Sequence, residues 1–171
     1  MGYPRTTLRA VAQDAGVDVR LVTHYFGSKQ DLFAECVELP FDPELAFEVV
    51  LGPGIDGVGE RLARFVLQRV LTQETGRQAA TGLLRAAASE EEAAATIRQV
   101  LMTRVLGPLA ERLGADQPEL RGALLGSQIA GLVMARHVLS LPVLAEADAE
   151  QLVAAIGPVL QHYLTDPLPA G

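Results

Sequence analysis

Residues 6–33 read Thr-Thr-Leu-Arg-Ala-Val-Ala-Gln-Asp-Ala-Gly-Val-Asp-Val-Arg-Leu-Val-Thr-His-Tyr-Phe-Gly-Ser-Lys-Gln-Asp-Leu-Phe, and the local signals in this stretch decide the fold. Thr6 or Thr7 is placed to cap a first helix, in which Leu8, Val11, Ala12 and Ala15 recur at i, i+3, i+4 and i+7. Gly16 supplies the left-handed stop, since a residue without Cβ enters positive φ at no steric cost. Asp18 caps a second helix over residues 19–26, and Gly27 ends it. Ser28 opens a third, with Asp31 at the capping-box position.

Two short helices joined by a turn of three or four residues containing Gly form the unit that lays its second helix in a DNA major groove. An ordinary corner of a helical bundle has the same geometry, so the pattern alone leaves both readings open. The residue identities separate them. Thr-Thr-Leu-Arg-x-Val-Ala-x-x-Ala-Gly-Val followed by His-Tyr-Phe-Gly-Ser-Lys-x-x-Leu-Phe resembles the DNA-binding domain of the tetracycline-repressor (TetR) family of bacterial regulators.

The resemblance implies an all-α protein with an N-terminal helix-turn-helix domain and a C-terminal helical domain that binds an effector and dimerises. Two departures from the family pattern accompany it. Thr23 stands where the family often carries Tyr, leaving His24 and Tyr25 to take over that phosphate contact. The family also begins with a helix that ends just before a Gly-Tyr or Gly-Phe, and this chain opens at Met1-Gly2-Tyr3. The expectation is therefore a helix-turn-helix domain lacking its first helix, with an all-helical dimeric interaction or ligand-binding protein that has lost DNA binding as the alternative.

Composition bounds the remainder. At 171 residues and 49% apolar content the chain holds a sizeable core and is globular. The net charge of −7 opposes nucleic-acid binding, but it is unevenly spread. Up to residue 36, Arg5, Arg9, Arg20 and Lys29 balance Asp14, Asp18, Asp31 and Glu35, so all the net acidity lies beyond that point. The lone Cys36, among Leu32, Phe33 and Val37, reads as a buried small hydrophobe in a reducing compartment. No signal peptide is evident, and the longest apolar stretch, 129–139, is interrupted by Arg136 and His137 and too short to span a membrane. A cytoplasmic protein is expected.

The domain boundary falls at Pro40 to Pro53, giving domains over 1–39 and 40–171. Helical stripes fill the second domain: one from Val58 to Val70, one over 76–88, and one that Ser89 caps with Glu92 at the capping-box position. Gly107-Pro108 must kink or end that last helix, a long helix starts at Pro118 and stops at Pro142, and Asp148 opens the final one, with a kink expected at Gly157-Pro158. The Glu90-Glu91-Glu92 run reads as a helix start favoured by the dipole. No His pairs with Cys, Ser or carboxylate at the spacing of a metal site or triad, and no Gly-rich phosphate loop occurs, so neither enzyme chemistry nor a cofactor is expected.

Candidate functional residues follow. Arg20, near the start of the second helix, has the fork geometry for guanine O6 and N7, and Val19 suits a thymine methyl. Thr7, Thr23, His24, Tyr25 and Lys29 suit phosphates, while Phe26 reads as core. In the long helix, Gly122, Gly126 and Ala130 form a small-residue row beside Leu124, Ile129, Leu132 and Val133, and the bland reading is packing within one chain. The resemblance implies instead a four-helix homodimer seam made by the last two long helices, about 118–141 and 148–164, to which Ile156 and Leu160 also belong. It also implies a ligand pocket in the second domain, for which Phe65, Met102, Met134 and His137 on the apolar stripes are candidate lining; few charged groups interrupt those stripes, Arg69, Arg104 and Arg136 being the nearest, so a small apolar effector, neutral or singly anionic, is expected. Double-stranded operator DNA is the expected partner.

Overall fold

The computed structural model describes residues 6–37 and 39–169, apart from the side chain of Cys36, and every regular element among them is helical. The readings made on Met1–Tyr3 and on the Cys36 side chain lie outside what is described. By their internal contacts the residues form two compact units. One joins the N-terminal helices to Gly82–Val100, and the other joins Leu39–Thr81 to the residues from Leu101 onward. The chain passes from the first unit to the second at Leu39, returns at Gly82 and leaves again at Leu101.

In the first unit, α1 (Leu8–Asp14), α2 (Val19–Phe26) and α3 (Lys29–Cys36) each begin at the expected cap. The Thr7 hydroxyl oxygen accepts from Ala10 N at 3.1 Å, and Asp18 Oδ1 accepts from Arg20 N at 2.8 Å. Gly16 and Gly27 adopt the left-handed φ values of 67° and 69° that end the preceding helices. Ser28 departs from the capping-box expectation in one bond. Its oxygen accepts from Asp31 N at 3.0 Å, but its backbone N–H is already donated to Phe26 O at 2.7 Å, so the Asp31 carboxylate accepts the Ser28 hydroxyl instead, at 2.6 Å. α1 packs on α2 and α2 on α3, with Ala12 and Val22 buried.

The second half of α6 (Glu74–Ser89) and nearly all of α7 (Glu91–Leu101) complete this unit. Here the structure corrects the sequence reading. Ser89 is the last residue of α6 and its hydroxyl donates to Ala86 O at 3.0 Å, so it does not cap α7. Glu90 occupies the junction, its N–H donated back to Ala86 O and its C=O accepting from Ala94 N. Ala93, Thr96, Ile97 and Val100 form the buried stripe of α7.

The second unit contains α4 (Pro43–Leu51), α5 (Val58–Arg64), α8 (Gly107–Leu113), α9 (Pro118–Val133), α10 (Pro142–Glu146) and α11 (Ala149–Thr165). α5, α7 and α9 each run on into a π-helical turn, at Phe65–Val70, Met102–Leu106 and Met134–Val138. The second turn resolves Gly107-Pro108: Gly107 N–H donates to Met102 O, one residue further back than in an α-helix, and Pro108 then enters α8 in its first turn, where no N–H is required. Pro142 is a second correction. The long helix has already left α geometry at Met134, so Pro142 starts α10 and does not end α9. α11 is assigned as one helix through Pro158.

α11 is the axis of this unit. It packs along α5, α8 and α9, with Leu160, Leu164 and Val153 fully buried against a core that includes Leu125, Val50 and Val58. Gly59 and Gly157 set the closeness of α5 to α11: a Cβ on Gly59 would overlap the carbonyl of Gly157 and the amide of Gln161. Gln161 repays that approach, accepting from Gly59 N at 2.9 Å, an unpaired donor of the α5 start, and donating to Ile55 O at 3.0 Å. Arg121, with a side chain 3% exposed, ties the start of α9 to the end of α11. It donates to Tyr163 O at 2.6 Å, Asp166 O at 2.9 Å and Asp116 O at 2.7 Å, and to the Asp116 carboxylate. That contact, first of all, holds the Asp116 carboxyl below the usual range.

Candidate nucleic-acid interface

The outward face of α2 is assembled by a simple division of its turns. Val22 and Phe26, four apart, point inward, Val22 buried and Phe26 partly so. Arg20, Leu21, Thr23, His24 and Tyr25 are consequently exposed, and Tyr25 is the most exposed large apolar side chain of the helix at 74%. Its ring meets His24 edge-on, with centroids 5.6 Å apart and an interplanar angle of 71°. Arg20 stands one turn or less from the Asp18 cap, at the positive end of the helix dipole. Val19 and Lys29 are partly buried.

Two sequence-derived candidates have part of their chemistry engaged. The Thr23 hydroxyl donates to Val19 O at 2.9 Å, leaving lone pairs to offer but no proton. Thr7 uses an oxygen lone pair for its cap and retains its proton for an outside acceptor. Val17 and Leu21, about half exposed, extend an apolar row to Tyr25 at i, i+4 and i+8.

The proposed dimer residues divide sharply. Gly122, Val133 and Leu160 are buried within the chain. Gly122 faces Leu106, whose Cβ would lie 3.1 Å from a Cβ added at the glycine, and Gly126 faces the same side chain at 3.4 Å. These two small residues admit a neighbour of their own chain, the packing that the bland reading of the row expected. Leu124, Ile129, Leu132 and Ile156 are partly buried. The outermost residues are different ones: Leu120, Ala123, Ser127 and Gly131 on α9, and Ala154, Ala155, Pro158 and Val159 on α11. The exposed charged or titratable residues of these two helices, Glu119, Glu150 and His162, lie toward their ends. The exposed stripe was overlooked because small residues carry little weight in an apolar pattern.

Of the effector candidates, Phe65 is buried with its ring edge-on to Phe41 at 5.5 Å, a core contact. Met102, Met134 and His137 are partly buried. Phe65, Met102 and Met134 each head one of the three π-turns, and His137 lies on the third, but the turns pack on different neighbours: α4, α5 and α11 for the first, α8 and α9 for the second, α9 and α10 for the third. Burial, then the charges of Arg136 and Arg77, hold the His137 imidazolium below its ordinary range. Among the described residues there is no group of three or more His, Cys, Asp or Glu suited to a metal ion, and no helix is long and apolar enough to cross a membrane.

A capped helix-turn-helix with an exposed second helix, joined to a larger helical unit, is the architecture of a one-component DNA-binding regulator. Family comparisons agree. The model described as "Bacterial regulatory proteins, tetR family" matches residues 1–36, and "Tetracyclin repressor-like, C-terminal domain" matches residues 56–164. The crystal structure of a TetR-family regulator from Streptomyces coelicolor A3 superimposes with a TM-score of 0.59 at 32% identity, covering 96% of this chain and 86% of that one. Among curated proteins no match is found. The chain belongs to the TetR family of DNA-binding transcriptional regulators, which are transcription factors and not enzymes.

Proposed function

We propose that this protein is a ligand-responsive transcriptional repressor of the cytoplasm, acting as a homodimer on a palindrome-like operator. Residues 1–39 form its DNA-binding domain and 40–171 its effector-binding and dimerisation domain. The observation that carries the reading is the outward face of α2, where Arg20, Thr23, His24 and Tyr25 stand exposed together. Arg20 reads a guanine edge, Val19 with Leu21 meets thymine methyls, and Thr7, His24, Tyr25 and Lys29 fix the register on phosphates.

Dimerisation supplies the second half-site. The exposed small and apolar residues midway along α9 and α11 pair with those of a second copy, and the two α2 helices enter successive major grooves roughly 34–36 Å apart. Effector binding in the larger domain shifts the population between DNA-competent and DNA-released dimers, which requires a difference in affinity between the two states.

Fluorescence-anisotropy titrations at several salt concentrations, on an operator selected from random DNA, test this reading. Arg20→Ala is expected to lower discrimination at one base pair per half-site by about 1–3 kcal/mol while leaving binding to random DNA nearly unchanged. Equal losses on operator and random DNA would remove Arg20 from base reading. A protein that selects no DNA would leave a helical dimer without operator function.

A further inference from the structure

At the end of α9 several unusual features coincide. The helix widens into the π-turn Met134–Val138, Ser140 adopts a left-handed backbone with φ of 51°, and α10 starts two residues later. Inserted π-turns and non-glycine residues at positive φ are both costly, and both concentrate at functional sites. On this turn Arg136 Nη1 and His137 Nε2 are buried with no hydrogen-bond partner among the described residues. Among the described residues the guanidinium has one tether, Nη2 donating to Ala147 O at 3.1 Å, and no carboxylate lies within ion-pair distance of it.

The electrostatics point one way. His137 feels the positive charges of Arg136 and Arg77, and of these only Arg77 has an acidic partner, Glu74, among the described residues. An uncompensated guanidinium beside a neutral imidazole calls for negative charge, because a buried donor without an acceptor forgoes the hydrogen bonds it made to water. Two orphaned nitrogens match the two oxygens of a carboxylate better than a phosphate, whose extra oxygens would go unmatched. Leu139, Leu141 and Val143, on the same corner, are all exposed, Val143 at 83%. Arg136 and His137 keep part of their side chains at the surface while Nη1 and Nε2 themselves are covered, so a ligand reaches the two nitrogens as the π-turn opens.

We infer that this corner binds a small organic carboxylate, its oxygens accepting from Arg136 Nη1 and His137 Nε2 and its apolar body lying over Leu139, Leu141 and Val143. The inference rests on the ligand-responsive reading above and names the chemistry of the effector. A neutral His137 donates through Nε2 in the tautomer that carries the proton there. Binding that reorders the π-turn would act on α9, which packs on both this turn and α11.

The test is isothermal titration of the full chain with octanoate and phenylacetate, set against octanamide and phenylacetamide, which keep the shape and lose the charge. The acids are expected to bind at least tenfold tighter than their amides. Arg136→Gln is expected to abolish that preference and Arg136→Lys to keep part of it. His137→Gln is a second, independent variant, and melting curves establish that each one folds. Equal affinities for acid and amide, no heat from either acid at millimolar concentration, or an undiminished preference in Arg136→Gln would overturn the inference. Operator release is read separately. An acid that binds through Arg136 without releasing DNA supports the site and sinks the effector response, whereas release that persists unchanged in Arg136→Gln sinks the site alone.

Discussion

Replacing Arg121 by alanine should be among the most damaging single changes in the larger unit. The guanidinium is almost wholly buried and donates to the carbonyls of Tyr163, Asp166 and Asp116 as well as to the Asp116 carboxylate. Truncation strands the carbonyls of Tyr163 and Asp166, at about 1–3 kcal/mol for each acceptor that water does not reach, and leaves a cavity where the side-chain stem was. Asp116 is 64% exposed and rehydrates at little cost. The two stranded acceptors and the cavity together give an expected loss of about 3–5 kcal/mol. For a chain of this length that corresponds to a fall in Tm of roughly 10 °C.

Removing the other partner should cost far less. Asp116→Asn loses an exposed, solvent-screened carboxylate and should be much milder than Arg121→Ala. The sign of its pH dependence follows from the lowered Asp116 pKa. The ion-pair contribution is complete above the ordinary aspartate value of about 4 and disappears as pH falls through the depressed folded value, so wild type and Asp116→Asn should converge in acid. Urea unfolding at fixed protein concentration, at pH 7 and in steps down to pH 3, measures both effects. A loss under 1 kcal/mol for Arg121→Ala, or an equal loss for Asp116→Asn, would refute the assignment of Arg121 as the tie between α9 and α11.

Other perturbations address other parts of the account. Gly59→Ala should destabilise by about 3 kcal/mol, because backbone atoms of α11 block the new Cβ and neither helix can yield alone; a Tm within 2 °C of wild type would mean that α5 and α11 separate easily. Val159→Asp should convert a dimer to a particle of the 18.2 kDa chain mass in light scattering, and a persisting dimer would place the seam elsewhere. Lys29→Ala should weaken binding to all DNA sequences alike and reduce the salt slope by about one unit, so a sequence-selective loss would contradict its role on a phosphate.

The N-terminal elements were legible in the sequence because their determinants are local. Thr7, Asp18 and Ser28 cap where their side chains reach the next free N–H, and Gly16 and Gly27 stop helices through backbone freedom alone. Failures occurred where a choice depended on the surroundings. Ser89 bonds backward to Ala86 and not forward, since a hydroxyl at a helix junction has acceptors on both sides. The π-turns at Phe65 and Met134 add a residue to a helix without a proline or glycine within them to announce it, whereas Gly107-Pro108 marks the break after Met102 but not its π form; Pro142 is read on the wrong side of its break for the same reason. Gly122 and Gly126 revealed a close approach but not its partner, which is Leu106 of the same chain. The orphaned nitrogens of Arg136 and His137 depend on packing, which spacing cannot report.

The central claim is that α2 reads DNA as half of a symmetric pair, and selection from a random duplex pool tests it most directly. Sequencing after several rounds of capture by the full chain should reveal an inverted repeat whose half-sites are centred one helical turn, about 10–10.5 base pairs, or a multiple of it apart, with a guanine position whose enrichment vanishes in Arg20→Ala. A pool that never departs from random, or an enriched motif without two-fold symmetry that Arg20→Ala leaves unchanged, would contradict the account.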